Sequence, residues 1–72
     1  MDKFEVVAKI IEEVADIPVD EIEKDSSLMD DLDLSSLEIM TILNNISRKF
    51  SVKITEQQTL EIETVADILE IL

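Results

Sequence analysis

Apolar residues return at three- and four-residue steps along most of this chain, and no stretch alternates apolar and polar residues over the length of a strand. That spacing predicts helices and little else. Phe4, Val7, Ile11 and Val14 mark one face of a first helix, and Val6 and Ile10 widen the stripe as a bundle helix requires. Asp16-Ile17-Pro18 is expected to end it, because the residue before a proline is pushed out of the helical region. A second helix is expected to begin at Ser36 and end near Phe50 and Ser51, with Ile39, Ile42 or Leu43, Ile46 and Phe50 as its core stripe. Its start, Ser35-Ser36-Leu37-Glu38, has the capping-box form: Ser35 can cap and Glu38 can reach back. Thr55-Glu56-Gln57-Gln58 repeats that form and opens a short third helix to about Leu60, after an extended or irregular Val52-Lys53-Ile54. Thr64-Val65-Ala66-Asp67 opens a fourth, with Val65, Ile68, Leu69 and Leu72 on its apolar face. The expected fold is all-α, a small four-helix bundle with a long connection between the first two helices and a short third helix.

That connection, residues 19–35, is acidic, and a structureless loop of such length is uncommon in a compact domain. Ile22, Leu28, Leu32 and Leu34 are spaced along it and are expected to pin it to the core, with a short helical turn near 20–23 or 28–32. The 72 residues form a single domain, 1–72, without internal repeat or low-complexity segment. A domain of this size buries only about 60% of its unfolded surface, so modest stability is expected.

The side-chain inventory excludes much chemistry. The chain has no His, Cys, Tyr, Trp or Gly. General acid–base work would fall to carboxylates or lysines, and nucleophilic work to unactivated Ser, Thr or Lys. Glycine-rich phosphate loops, disulfides and Cys–His zinc sites are absent, and an autonomous enzyme is not expected. Eighteen acidic residues against 6 basic ones give a net charge of −12. Nucleic acid, which needs Lys and Arg for its phosphates, is therefore not an expected partner. Such a charge favours basic protein partners and speeds encounter with them. No apolar run is long enough to span a bilayer, and Asp2, Lys3 and Glu5 stand where a secretory signal needs an apolar run. A cytoplasmic, membrane-independent monomer is the expectation.

The most informative segment is Asp30-Asp31-Leu32-Asp33-Leu34-Ser35-Ser36-Leu37-Glu38. It sets a serine hydroxyl at the first position of a helix, where backbone N–H groups lack partners and the helix dipole is positive, so that a phosphodiester on Ser36 would be stabilised. Asp31-x-Asp33-x-Ser35 has the beginning of a calcium loop, but Ser36 stands at the sixth position in place of Gly and Ile42 at the twelfth in place of Glu. No metal site is expected there.

This segment resembles the phosphopantetheine attachment site of acyl carrier proteins, which centres on Asp-Ser-Leu after an Asp-Leu-Gly stretch. Asp31-Leu32 and Ser36-Leu37 match, and Glu38 stands where the family has an acid. The likeness continues in register through Lys9-Ile10-Ile11, Ile17, Ile22, Phe50, Ile54, Ile62 and Thr64-Val65. It implies a carrier rather than an enzyme: a 4'-phosphopantetheine arm, taken from coenzyme A by a phosphopantetheinyl transferase, joined to Ser36 and bearing acyl groups as thioesters. The register to Phe50 favours Ser36 over Ser35 as the attachment residue.

By the same resemblance, acyltransferases, acyl ligases or ketosynthases of fatty-acid or specialised lipid or polyketide biosynthesis would be partners. They would dock on Leu37, Glu38, Met40, Thr41 and Asn44. Ile39, Leu43, Ile54 and Ile62, with Met40, would line any acyl pocket, although the core requires the same residues. The alternatives are an aminoacyl or peptidyl carrier and an unmodified helical adaptor. The sequence departs from the family in three ways. Ser35 replaces the usual Asp, and is as good an N-cap. Asp33 replaces the usual Gly, which implies another loop conformation or a left-handed Asp. From Ser36 to Thr55 the chain has one acid, Glu38, against Arg48, Lys49 and Lys53, a net of +2 that leaves −14 elsewhere. Carriers that serve fatty-acid synthase typically have an acidic second helix instead, so a different partner set is expected.

Overall fold

A computed structural model describes residues 2–72. Four α-helices follow in order: α1 (Lys3–Ala15), α2 (Ser36–Phe50), α3 (Glu56–Glu61) and α4 (Val65–Glu70), with one 3-10 turn at Val19–Glu21. The all-α reading holds, with an isolated two-residue bridge as the sole β-type pairing among the described residues. The Cα radius of gyration, 10.7 Å, is close to the roughly 11 Å that scaling gives for a folded chain of this length.

α1 is the central element and packs against α2, the 3-10 turn and α4. It buries Val7, Ala8, Ile10 and Ile11, while Phe4, Val6 and Val14 are half-buried against the same core. Ala8, not among the residues expected in the stripe, is fully buried as well. Asp2 caps α1, its Oδ1 accepting from the Glu5 N–H at 2.8 Å. The other end differs from expectation in cause. α1 stops at Ala15, before proline acts, because Asp16 turns left-handed (φ 59°) and donates its N–H to the Glu12 carbonyl.

The connection to α2 is ordered by its own apolar residues and hydrogen bonds. Ile22, Leu28, Leu32 and Leu34 are all buried, as expected. The helical turn near 20–23 is the 3-10 turn at Val19–Glu21; at 28–32 a hydrogen-bonded turn forms, with the Asp31 and Leu32 N–H groups both on the Ser27 carbonyl. The sequence does not reveal where this connection is anchored. Ser27 bridges Thr64, Leu28 donates to the Glu63 carbonyl at 2.9 Å, and Val65 and Ala66 donate to the Ser26 and Lys24 carbonyls. The acidic loop is thus stitched to the start of α4.

α2 buries Ile42, Leu43 and Ile46 and leaves Ile39 and Phe50 half-buried. It ends where expected, with Ser51 left-handed (φ 54°). α3 is the least anchored helix. It has six residues, none buried, and Ile54 and Ile62 at its flanks hold it to the core.

Candidate functional site

The position of Ser36 follows from short-range chemistry at the start of α2. Leu34 is buried and donates its N–H to the Leu28 carbonyl at 2.9 Å, while Asp33 between them adopts φ 54°. Of the two expectations for Asp33, another loop conformation or a left-handed aspartate, the second holds. Asp tolerates this region because its short polar side chain is compatible with it. The turn brings Ser35 to the N-cap. Its Oγ accepts from the Glu38 N–H at 3.2 Å and the Glu38 Oε1 accepts from the Ser35 N–H at 2.9 Å, a complete capping box. Ser36 is the first helical residue and is exposed. The opening N–H groups of a helix have no intrahelical acceptor. Ser35 takes that of Glu38, which leaves those of Ser36 and Leu37 for water or a bound anion.

Of the three acids ahead of Ser36, Asp31 is committed. Its Oδ2 accepts from the Ser27 N–H at 2.7 Å, and Ser27 Oγ accepts from the Asp30 N–H at 3.2 Å. Among the described residues no three acidic side chains are grouped to hold a metal ion, so Asp30, Asp31 and Asp33 form a solvated acidic loop. The far end of that loop is fixed by Asp67. Its Oδ2 accepts from the Glu63 N–H at 2.9 Å and the Thr64 N–H at 3.0 Å, while the Asp67 N–H donates to Thr64 Oγ1. These bonds, that from Glu63 foremost, hold the Asp67 carboxyl below the usual aspartate range.

A cleft of about 600 Å³ opens beside Ser36 between the loop, α2 and α3. Ser36, Ile39 and Ile62 line it, as do Met29, Met40 and Leu60. A second cleft of about 440 Å³ lies further along α2 and contains Leu43 and Ile54. The four residues expected to line one acyl pocket are thus divided, with Ile39 and Ile62 at Ser36 and Leu43 and Ile54 beyond. The expected docking residues Leu37, Met40, Thr41 and Asn44 are exposed along α2, and Glu38 is half-buried among them. Folding leaves large apolar groups bare around the serine: Leu37 is 73%, Met40 56%, Leu60 80% and Met29 54% exposed. Contiguous exposed apolar surface marks interaction sites. Met29 and Leu60 were not singled out in the sequence, although each is an apolar residue in a polar run with no place in a core stripe. That signal was available.

Comparison with known proteins bears on the family and the fold. The profile of the phosphopantetheine attachment site family matches residues 5–72. The acyl carrier protein of Kineococcus radiotolerans is 41% identical over 61 residues, covering 85% of this chain and 75% of that one. That of Beutenbergia cavernae is 39% identical over 61 residues, covering 85% and 74%. A solved Mycobacterium tuberculosis structure, described as that of an acyl carrier protein, superposes with a TM-score of 0.88 over 94% of this chain and 90% of that one, at 22% identity. At that identity the superposition speaks for the fold.

Proposed function

Because the chain belongs to the acyl carrier proteins of the phosphopantetheine attachment family, we propose that Ser36 is its attachment residue and that its cargo is acyl groups. The observation that supports this most is the position of Ser36: an exposed hydroxyl at the first residue of α2, on the rim of a cleft of about 600 Å³. Ligand clefts generally fall between about 300 and 1,000 Å³.

The residues present fit the arm. The N–H groups of Ser36 and Leu37 lie at the positive end of α2 and suit a phosphodiester. The adjoining cleft offers Ile39, Met40 and Ile62 as apolar wall and Ser27 and Thr59 as hydroxyls. When bound, the arm supplies the terminal thiol that holds an acyl group as a thioester, a sulfur the chain itself lacks. In loading, Ser36 Oγ would form a bond to the phosphorus of coenzyme A that bears pantetheine, the pyrophosphate bridge would break, and adenosine 3',5'-bisphosphate would leave. The hydroxyl proton passes to a base on the transferase. Reactions of the cargo belong to partner enzymes, acyltransferases, acyl ligases or ketosynthases, which Leu37, Met40, Thr41 and Asn44 meet on the exposed face of α2. The chain supplies attachment, presentation and shielding. Among the described residues no helix is long and apolar enough to cross a membrane. A cytoplasmic monomer is the state in which this work is proposed.

Intact mass after incubation with coenzyme A and a broad-specificity phosphopantetheinyl transferase tests the assignment. One phosphopantetheine is expected on the wild type and none on Ser36→Ala. Ser35→Ala should still be modified, at a cost of about 1 kcal/mol of stability for the lost cap. Modification of Ser36→Ala would move the attachment to another residue, Ser35 first, and an unmodified wild type would favour an adaptor that only binds protein.

A further inference from the structure

The flank of α2 turned away from Ser36 holds a third hollow, a groove of about 350 Å³ between α1 and α2. Val6, Lys9, Ile10 and Glu13 line it from α1, and Asn45 and Lys49 from α2. At about 100° per residue, Asn45 and Lys49 stand roughly opposite Ser36 and Met40 around the helix. The floor is apolar, with Ile10 buried and Val6 half-buried, and the exposed Lys9 and Lys49 can add their methylene stems to its walls. The charge of this region is unlike that of the rest of the molecule. Lys9, Lys49 and the exposed Arg48 beside it set three of the chain's 6 basic residues against Glu13, one of its 18 acids. We propose that the groove is a docking site for an acidic segment of a partner protein. That segment sets an apolar side chain on Val6 and Ile10 and brings carboxylates to Lys9 and Lys49.

Charge complementarity selects the occupant. On a body of net charge −12 a basic partner meets acids over most of the surface, and a local excess of lysine gives it nothing. An acidic segment finds its complement here and in few other places. Shape selects a protein over a lipid surface. A flat sheet of anionic headgroups cannot bring atoms to a floor set between two helices, and it meets the repulsion of the whole molecule. One projecting side chain can reach that floor. With 13 and 15 residues, α1 and α2 are the longest helices of the fold and pack on each other, so the groove needs little ordering on binding. An occupant on this flank leaves Ser36 accessible, and the proposal does not depend on attachment there.

The test titrates the isotope-labelled full chain with a synthetic peptide in which one leucine is flanked by two glutamates on each side. Amide resonances of residues 6–13 and 45–49 should shift, and the shifts give a dissociation constant. Glutamine in place of the peptide's glutamates should weaken binding, and glycine in place of its leucine should do so by about tenfold or more. In the protein, Lys9→Gln with Lys49→Gln should weaken it by about two- to thirty-fold. Lys24→Gln with Lys53→Gln, which changes net charge equally, should leave it within about twofold, because charges at a distance are screened. Circular dichroism checks that both variants fold. Shifts confined to the cleft at Ser36, a glutamine peptide bound as tightly as the glutamate one, or no shift at millimolar peptide overturns the proposal. Free glutamate that moves the same amides as strongly would make the groove a site for small anions. Sedimentation with phosphatidylglycerol vesicles through Lys9 and Lys49 would make it a lipid contact, and either result overturns the proposal as well. The titration uses the unmodified chain, so none of these outcomes bears on loading at Ser36.

Discussion

Asp67 illustrates how one side chain positions a site it does not touch. Its carboxylate gathers the N–H groups of Glu63 and Thr64, and the carbonyl of Glu63 in turn accepts from Leu28 in the loop before Ser36. These bonds favour the charged form and lower its pKa. The unfolded side chain titrates at about 3.9. The stabilisation is therefore fully present above that value and is lost as pH falls through the lower folded value. The stability difference between wild type and Asp67→Asn should be constant above about pH 5 and shrink as pH falls below about 4, followed by urea melts at each pH. A difference independent of pH would show that the charge contributes nothing beyond the hydrogen bonds. Thr64→Ala removes the reciprocal cap and should cost about 1 kcal/mol. In a domain this small that lowers the melting temperature by about 4–8 °C.

Among the elements, α2 is the one proposed to govern partner choice. Its only acid, Glu38, already has its carboxylate on the Ser35 N–H, and Thr41 Oγ1 donates to the Leu37 carbonyl at 3.0 Å. The exposed face of α2 itself therefore presents apolar and neutral side chains, across the cleft from Asp30 and Glu63, and positive charge gathers at its far end on Arg48 and Lys49. There it suits the helix dipole as well. Charges at the rim of an interface act mainly on association rate and its salt dependence. The protein is accordingly expected to be a poor substrate for a generic fatty-acid synthase acyltransferase that docks through basic patches. Thr41→Glu with Asn44→Glu, both at exposed positions, should raise its loading rate, and added salt should erase the gain. Ser47 is a less suitable third site than its polarity suggests. It is half-buried and its Oγ donates to the Val52 carbonyl, closing the turn after α2. Wild-type loading as fast as that of an ordinary fatty-acid carrier would remove the case for a separate partner set.

At the scale of the whole molecule, charge opposes compactness. A net charge of −12 sits on a body of 27 × 26 × 19 Å, so few charges lie beyond one another's reach at low ionic strength. Self-repulsion should loosen the fold there, and raising salt toward about 0.1 M, where the screening length is about 10 Å, should raise the melting temperature. A divalent cation should do the same by screening, through the acidic surface as a whole. A specific contribution from Asp30, Asp31 and Asp33 is not expected, because Asp31 is held by Ser27 and, among the described residues, no three acids converge. A melting temperature indifferent to salt would mean the acids are dispersed enough not to repel.

What this sequence determines by itself is local: the helical periods, the capping boxes at Ser35 and Thr55, and hence the placement of Ser36 at a helix start. Each rests on interactions between residues within a turn or so of one another, so the spacing of residue types carries the information. The buried Ile22, Leu28, Leu32 and Leu34 were legible from their spacing along an acidic run, although Met29 in the same run stays exposed. Three features emerged only from the tertiary structure. The pairing of residues 24–28 with residues 63–66 joins backbone groups far apart in the chain, and backbone hydrogen bonds leave no mark on side-chain pattern. Ala8 shares the stripe of Phe4 and Ile11 by spacing, but only the packed structure shows its small side chain to be fully buried. The division of Ile39 and Ile62 from Leu43 and Ile54 depends on where α3 comes to rest against α2, and with six residues and no buried side chain α3 does not declare that position in its own sequence.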